Sequence, residues 1–224
     1  MKTNGFSIQE VKPSIGYWEL DGVLYRDKNI KVKVSKELIP SMTQDEHAQL
    51  RKEIIRKNTK GFYAADLPLN HAVSKTAFLN KDHPNIEYRK KIEDFRQFLK
   101  EKILNTSLLT LSRIVNKAEG KDIVIHNYKQ EDEYRALENI VGPDQLINQN
   151  FDRNVLKTLS GSDNPYEFNE IYKWITENND IYIFRINNHP KKDLETVARF
   201  YGNPDRSVLN CYGDPANNTL AFWY

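Results

Sequence analysis

The spacing of apolar and polar positions changes period twice along the chain, and those changes divide it into a β-rich start, a helical middle and a β-rich end. Tyr17-Trp18-Glu19-Leu20 and Val23-Leu24-Tyr25-Arg26 flank Asp21-Gly22. Asp-Gly between two apolar-rich runs predicts a hairpin, because a type I′ turn needs positive φ at both central residues. Ile30 to Val34 alternates apolar residues with lysine and predicts a third strand with one wet face. Trp18 is the expected core anchor of this sheet.

The period then lengthens. Thr43 and Glu46 stand at capping-box spacing and predict a helix to about Asn58, with His47 in its first turn and Leu50, Ile54 and Ile55 behind it. Lys60 to Asn80 reads as either a short helix or a loop. Pro84 suits the first turn of a long helix. Its apolar stripe is Ile86, Ile92, Phe95, Leu99 and Ile103, with Lys90, Lys91, Glu93, Asp94 and Lys100 opposite. A second stripe, Leu108, Leu111, Ile114 and Val115, follows Asn105-Thr106-Ser107, so one kinked helix or two are expected there. Gly120 ends the helical region.

Short-period patterns return with Ile123-Val124-Ile125, followed by His126, Asn127 and Tyr128. Gly142-Pro143-Asp144 is a turn, Asp152 caps a short helix to Leu159, and Gly161 to Pro165 is a loop. Pro165 starts a helix that turns Phe168, Ile171, Tyr172 and Ile175 inward. Ile181 to Ile186, Val197 to Phe200, Ser207 to Cys211 and Thr219 to Trp223 read as strands. The whole is α+β, one domain over residues 1–224, with an N-terminal β-hairpin and a helical middle. The first and last strands are expected to share a sheet, since both are apolar and neither sheet is wide enough alone.

Composition narrows the function. The 224 residues carry 33 basic and 31 acidic side chains, a formal charge of +2, so no global field calls for nucleic acid or a membrane surface. Cys211 is the only cysteine, which removes internal disulfides and cysteine-rich zinc sites and fits folding in a reducing compartment. The start MKTNGFSIQE has no apolar core of signal-peptide length, and no 18-residue apolar run occurs, so membrane insertion is not expected. The five histidines, at 47, 71, 83, 126 and 189, form no HExxH pair, and GxSxG, Walker and GxGxxG motifs are missing. Glu131-Asp132-Glu133, and Asp163 with Glu167, lack the spacing of a cation-binding loop. Cys211 lies on a strand with nothing beside it to lower its pKa, which favours a structural thiol. The expectation is a non-enzymatic monomer with no catalytic residues, metal or cofactor. Two other readings are weighed against it. One is a small metal-assisted enzyme using His126 or His189 with an acidic partner. The other is a nucleic-acid accessory protein using the basic helix from Arg89 to Lys102.

The stretch from Arg199 to Tyr224, RFYGNPDRSVLNCYGDPANNTLAFWY, differs in kind. Tyr, Asn, Asp, Ser and Gly are the side chains of antibody-like paratopes, where tyrosine supplies rigid amphipathic area and the others adaptable hydrogen bonds. The same residues also dominate β-turns, and a run of turns between strands explains the composition equally well. Most of these types are reached from an asparagine codon by changes at its adenines, as expected of a protein diversified at template adenines.

Several segments resemble, in their order and C-terminal position, the variable proteins of diversity-generating retroelements, specifically an archaeal, nanoarchaeal type. They are Lys121 to Tyr128, Asn139 to Asp144, Phe184 to Pro190, Val197 to Phe200, Ser207 to Cys211 and Leu220-Ala221-Phe222. The resemblance covers about the last hundred residues. It implies a C-type-lectin-like fold of the formylglycine-generating-enzyme type, with hypervariable residues displayed on fixed C-terminal strands. It also implies an unidentified ligand, a protein on a cell or virus surface, with no nucleic acid. The variable region would span 199–224. The positions matching the variable, ligand-binding pattern are Tyr201, Asn203, Asp205, Arg206, Val208, Asn210, Tyr212, Gly213, Asp214, Ala216, Asn217 and Asn218. Leu209, Cys211, Pro215 and Leu220 would be the fixed scaffold. The chain departs from the family's Leu-Gly-aliphatic-Arg ending, with Leu220, Ala221, Phe222 and Trp223 in its place.

Overall fold

A computed structural model describes residues 7–11, 16–57, 61–105, 108–177, 180–203, 206–214 and 219–221, with backbone alone at 11, 39–41, 203, 206 and 219–221. The start of the chain forms a separate antiparallel sheet of β1 (Ser7–Val11), β2 (Tyr17–Tyr25) and β3 (Lys28–Ser35). Here the expected hairpin moves. Asp21-Gly22 lies inside β2, where the register with β3 shifts between Leu20↔Val32 and Val23↔Ile30, and the turn falls at Arg26 and Asp27. Those two residues have φ of 50° and 60°, the positive pair a type I′ turn demands. Gly22, at φ 75°, takes the bulge, and the Asp21 Oδ1 accepts its N–H at 3.0 Å. The extra residue changes the phase of the strand, so Trp18, Leu20 and Val23 all reach the core.

Five helices follow among the described residues. The capping box of α1 (Gln44–Arg56) forms as expected on Thr43 and Glu46. The ambiguous stretch becomes α2 (Leu67–Leu79), capped by the Asp66 side chain, with proline in its first turn. In α3 (Ile86–Asn105) the stripe Ile92, Phe95, Leu99 and Ile103 is buried, whereas Ile86 is exposed. Asp152 caps α4 (Arg153–Ser160), and α5 (Pro165–Thr176) buries Phe168, Ile171, Tyr172 and Ile175 as its period requires. The helices α2 and α3 pack against the small sheet, and α2, α3 and α5 also pack against the large one. Trp18 meets Phe95 edge-on at 5.6 Å, and one apolar cluster runs from Trp18 and Val34 through the helices to Ile183 and Leu209.

The second apolar stripe is not helical. Leu108–Asn116 is β5, the central strand of the large sheet, and it is buried along nearly its whole length. Burial on both faces removes the polar alternation that marks a strand in sequence, which leaves an apolar spacing that a helix matches equally well. The other members, in chain order, are β4 (Ile39–Met42), β6 (Asp122–His126), β7 (Tyr134–Glu138), β8 (Gln145–Leu146), β9 (Ile181–Phe184), β10 (Leu194–Asn203), β11 (Arg206–Gly213) and β12 (Thr219–Ala221). The spatial order is β4-β12-β5-β10-β11-β9-β8, with β6 and β7 branching from β5. One edge of β5 is therefore divided. Ala221 pairs at Leu109, β6 pairs at residues 113–115, and between them Leu111 bonds the loops at Ala65 and Tyr128. The first strands do not share this sheet. It is β4, absent from the expected elements, that joins β12.

Candidate functional site

Sequence and register together build a two-faced layer at the C-terminal end of the sheet. In β11, Leu209 and Cys211 point into the helix-covered core, and both are essentially buried. Ile181, Ile183, Ala198 and Phe200 join them there. Paired residues share a face of a sheet. Arg199, Asn210 and Phe184 are cross-strand partners, as are Tyr201, Val208 and Tyr182, so these six lie together on the other face. On that face α1 packs over the β5 end, where Leu109, Leu111 and Val197 cluster with Ala48. Tyr182, Phe184, Arg199 and Tyr201 are half-buried further along it, and Tyr212 and Asp214 are exposed.

A bulge re-aims the end of β11. Val197 pairs with Gly213 and Arg199 with Asn210, so Cys211 and Tyr212 stand opposite Ala198 alone. A bulge leaves backbone groups without ladder partners, and side chains satisfy them here. The Asn210 Oδ1 accepts the Tyr212 N–H at 2.8 Å, Thr110 donates to the Ala198 carbonyl at 2.6 Å, and Thr196 donates to the Cys211 carbonyl at 2.8 Å. The result turns Tyr212 outward, parallel to Phe184 at 6.4 Å, while Tyr201 meets Phe184 edge-on at the same distance. The Arg199 guanidinium lies 5.6 Å from the Tyr201 ring centre.

The expected variable positions divide accordingly. Tyr201, Tyr212 and Asp214 are accessible. Val208 and Asn210 face the same way but are buried, so in this conformation they support the layer rather than display themselves. Gly213 is also buried, and a Cβ there would meet the Val197 side chain at 3.0 Å and its carbonyl at 3.1 Å. Asn203 and Arg206 pair across the β10–β11 hairpin, with only backbone described. Asp205, Ala216, Asn217 and Asn218 lie outside the described residues, as do Pro215, Phe222, Trp223 and Tyr224. Tyr182, Phe184 and Arg199 were absent from the expected site. The alternation of Ile181 to Phe184 marks two of them as outward, but only the parallel pairing of β9 with β11 brings them to Tyr212.

The segments behind this layer lock to one another. Asp144 accepts the Arg185 N–H at 2.8 Å, and the Gly142 N–H reaches the Ile186 carbonyl at 2.8 Å. The Arg185 guanidinium donates to the Pro143 carbonyl, so close to Gly142 that a Cβ there would stand 2.7 Å from its Nη2. Asp122 takes the N–H groups of Ile140 and Val141.

The alternative sites are occupied by internal contacts. His126 Nε2 donates to the Thr158 carbonyl at 2.8 Å, which leaves Nδ1 to accept the Ser112 hydroxyl at 2.8 Å, and burial lowers its pKa. The buried carboxyl of Asp66, with its pKa raised by burial, accepts Tyr25 Oη at 2.7 Å. Asn127, at φ 50°, links Tyr25, Arg51 and Asp132. This group ties the small sheet to α1, α2 and β6. His189 is exposed and donates to the Lys117 carbonyl. On the basic helix, Arg96 pairs with Glu93 and Glu177, and Lys100 pairs with Glu177. A groove of about 860 Å³ on the helix side is lined by Trp18, Lys36, Phe98, Lys100, Leu104 and Glu177, its lysines paired with Glu10 and Glu177. Among the described residues no cluster of three or more His, Cys, Asp or Glu side chains is placed to hold a metal ion, and no helix is long and apolar enough to cross a membrane. Comparison with protein-family models, curated proteins and solved structures finds no match to the chain.

Proposed function

We propose that this is a non-enzymatic binding protein of the kind diversified by retroelements, with a C-type-lectin-like fold, whose C-terminal strands present a replaceable surface to a protein ligand. The observation that carries this reading is the separation of residue types at the C-terminal strands: Leu209 and Cys211 face the core, whereas Tyr201, Tyr212 and Asp214 are accessible. A diversified protein needs that separation, because changes at outward positions leave packing intact while changes at inward ones do not. The interlocked segments at Asp122, Ile140 to Asp144 and Arg185 supply a rigid base, which keeps the ordering cost of binding low.

Tyr201 and Tyr212 are the expected hot spots, since tyrosine buries large area at little entropic cost. The test is the DNA around the gene. A reverse transcriptase beside a near-duplicate of the bases encoding the C-terminal stretch is the expected finding. A complete genome lacking any such repeat contradicts the reading.

A further inference from the structure

Every arginine buried or half-buried in the described structure but one has hydrogen-bond partners on its guanidinium, although Arg51 also leaves its Nε without one. Arg51 donates to Asn127 and Asp132, Arg96 to Glu93 and Glu177, Arg113 to Gln44, Asp45 and Glu195, and Arg185 to the carbonyls of Pro143 and Ile140. Arg199 makes no hydrogen bond or ion pair to a described residue, and its Nε is buried without an acceptor. An unmet guanidinium N–H at a partly desolvated position is costly unless an acceptor arrives. Its stem is fixed: a Cβ on Gly213 would lie 3.3 Å from Arg199 Cδ, so the absence of a side chain there leaves the channel in which the arginine runs. Its head lies over Tyr201, within the aromatic layer of Phe184 and Tyr212.

We propose that Arg199 is the specificity anchor of the binding face and that it receives a single carboxylate, an Asp or Glu on a protein loop, flanked by apolar side chains that lie on the tyrosines. This rests on the binding-face reading above. A guanidinium fork matches a carboxylate in two parallel hydrogen bonds, and the rings around it exclude water and strengthen them. The rings also supply the apolar contact area of an interface centre. A nucleic acid or polyanion fits poorly, because Arg199 is the cation recorded against the Tyr201 ring and the exposed Asp214 directly follows the neighbouring strand β11.

The test uses a phage-displayed library of random linear peptides selected on the full chain. Enriched peptides are then measured against wild type, Arg199→Gln, Arg199→Lys and Tyr212→Ala. The expected result is enrichment of an acidic residue beside aromatic or aliphatic ones. Binding should weaken about tenfold or more both on Arg199→Gln and on changing the acid to its amide, with partial rescue by Arg199→Lys. Thermal melts of the variants separate lost binding from lost folding, and Arg199→Gln should melt close to wild type because it removes no internal hydrogen bond or ion pair and keeps the stem in the Gly213 channel. Peptides that lose affinity on Tyr212→Ala but carry no acid, or that ignore Arg199→Gln, overturn the carboxylate proposal and leave the binding face standing. Peptides indifferent to both Arg199→Gln and Tyr212→Ala overturn the binding face as well. Preference for phosphorylated over carboxylate versions of the same peptides assigns the anchor to phosphate and overturns the proposal as stated.

Discussion

Asn210 holds Tyr212 by the backbone: its side-chain oxygen accepts the Tyr212 N–H at 2.8 Å, across the bulge that turns the tyrosine outward. A residue that matches the expected variable pattern thus serves the scaffold. Asn210→Ala should cost about 1–2 kcal/mol in denaturant unfolding, the value of a part-buried hydrogen bond whose donor is left unmet. Tyr212→Ala, at an exposed position, should stay within about 0.5 kcal/mol of wild type. Equal costs for the two would contradict the assigned roles.

Gly213 has the opposite character to a freely varied position. Its missing Cβ admits the Val197 backbone and the Arg199 stem. Gly213→Ala should therefore destabilise by about 1–3 kcal/mol, the range for overpacking a filled site. It should also shift the Arg199 side-chain resonance. A variant with unchanged stability and an unmoved arginine argues against the channel.

Acid should weaken the fold through buried histidine. Neither ring nitrogen of His71 has a hydrogen-bond partner in the described structure, the ring stacks on Phe168 at 4.6 Å, and burial holds its pKa down at about 3, with Lys75 adding to the effect. The folded pKa lies below the unfolded one, so between them the unfolded chain binds the extra proton. Stability present above about pH 6.5 is then lost as pH falls, at up to about 1.4 kcal/mol per pH unit. His126, depressed by burial, acts in the same direction. Urea unfolding at pH 7 and pH 5 should show His71→Leu losing about 2 kcal/mol less than wild type. Parallel losses would remove His71 from the acid response.

The Cys211 thiol, fully buried and pushed up to about 12 by burial, should not react with a disulfide reagent in the native protein and should react completely in denaturant. Rapid native labelling would place it outside the core.

How much of this was legible in the sequence depended on how local the cause is. The Thr43–Glu46 box and the Asp152 cap act within one turn, and both appear where their residues stand. The stripe of α3 was readable because one face is wet. It failed beyond Asn105 because β5 is buried on both sides, and a strand without a wet face shows no period of two. The hairpin was misplaced because Gly22 makes a bulge as readily as a turn, while Arg26 and Asp27 take up positive φ without a glycine to announce it. The outward tyrosines were visible in the composition of the tail. Arg199 and Phe184 were not, since their association depends on two strand registers and a bulge that no local pattern encodes.

The central claim is that the accessible positions Tyr201, Tyr212 and Asp214 are replaceable, whereas the core-facing Leu209, Cys211 and Phe200 are fixed. The most direct measurement is sequence variation at this locus across many isolates, resolved by codon. Substitutions should concentrate at Tyr201, Tyr212 and Asp214, at adenines of the template, with Leu209, Cys211 and Phe200 constant. Variation spread evenly over both sets, or confined to third codon positions, would contradict it.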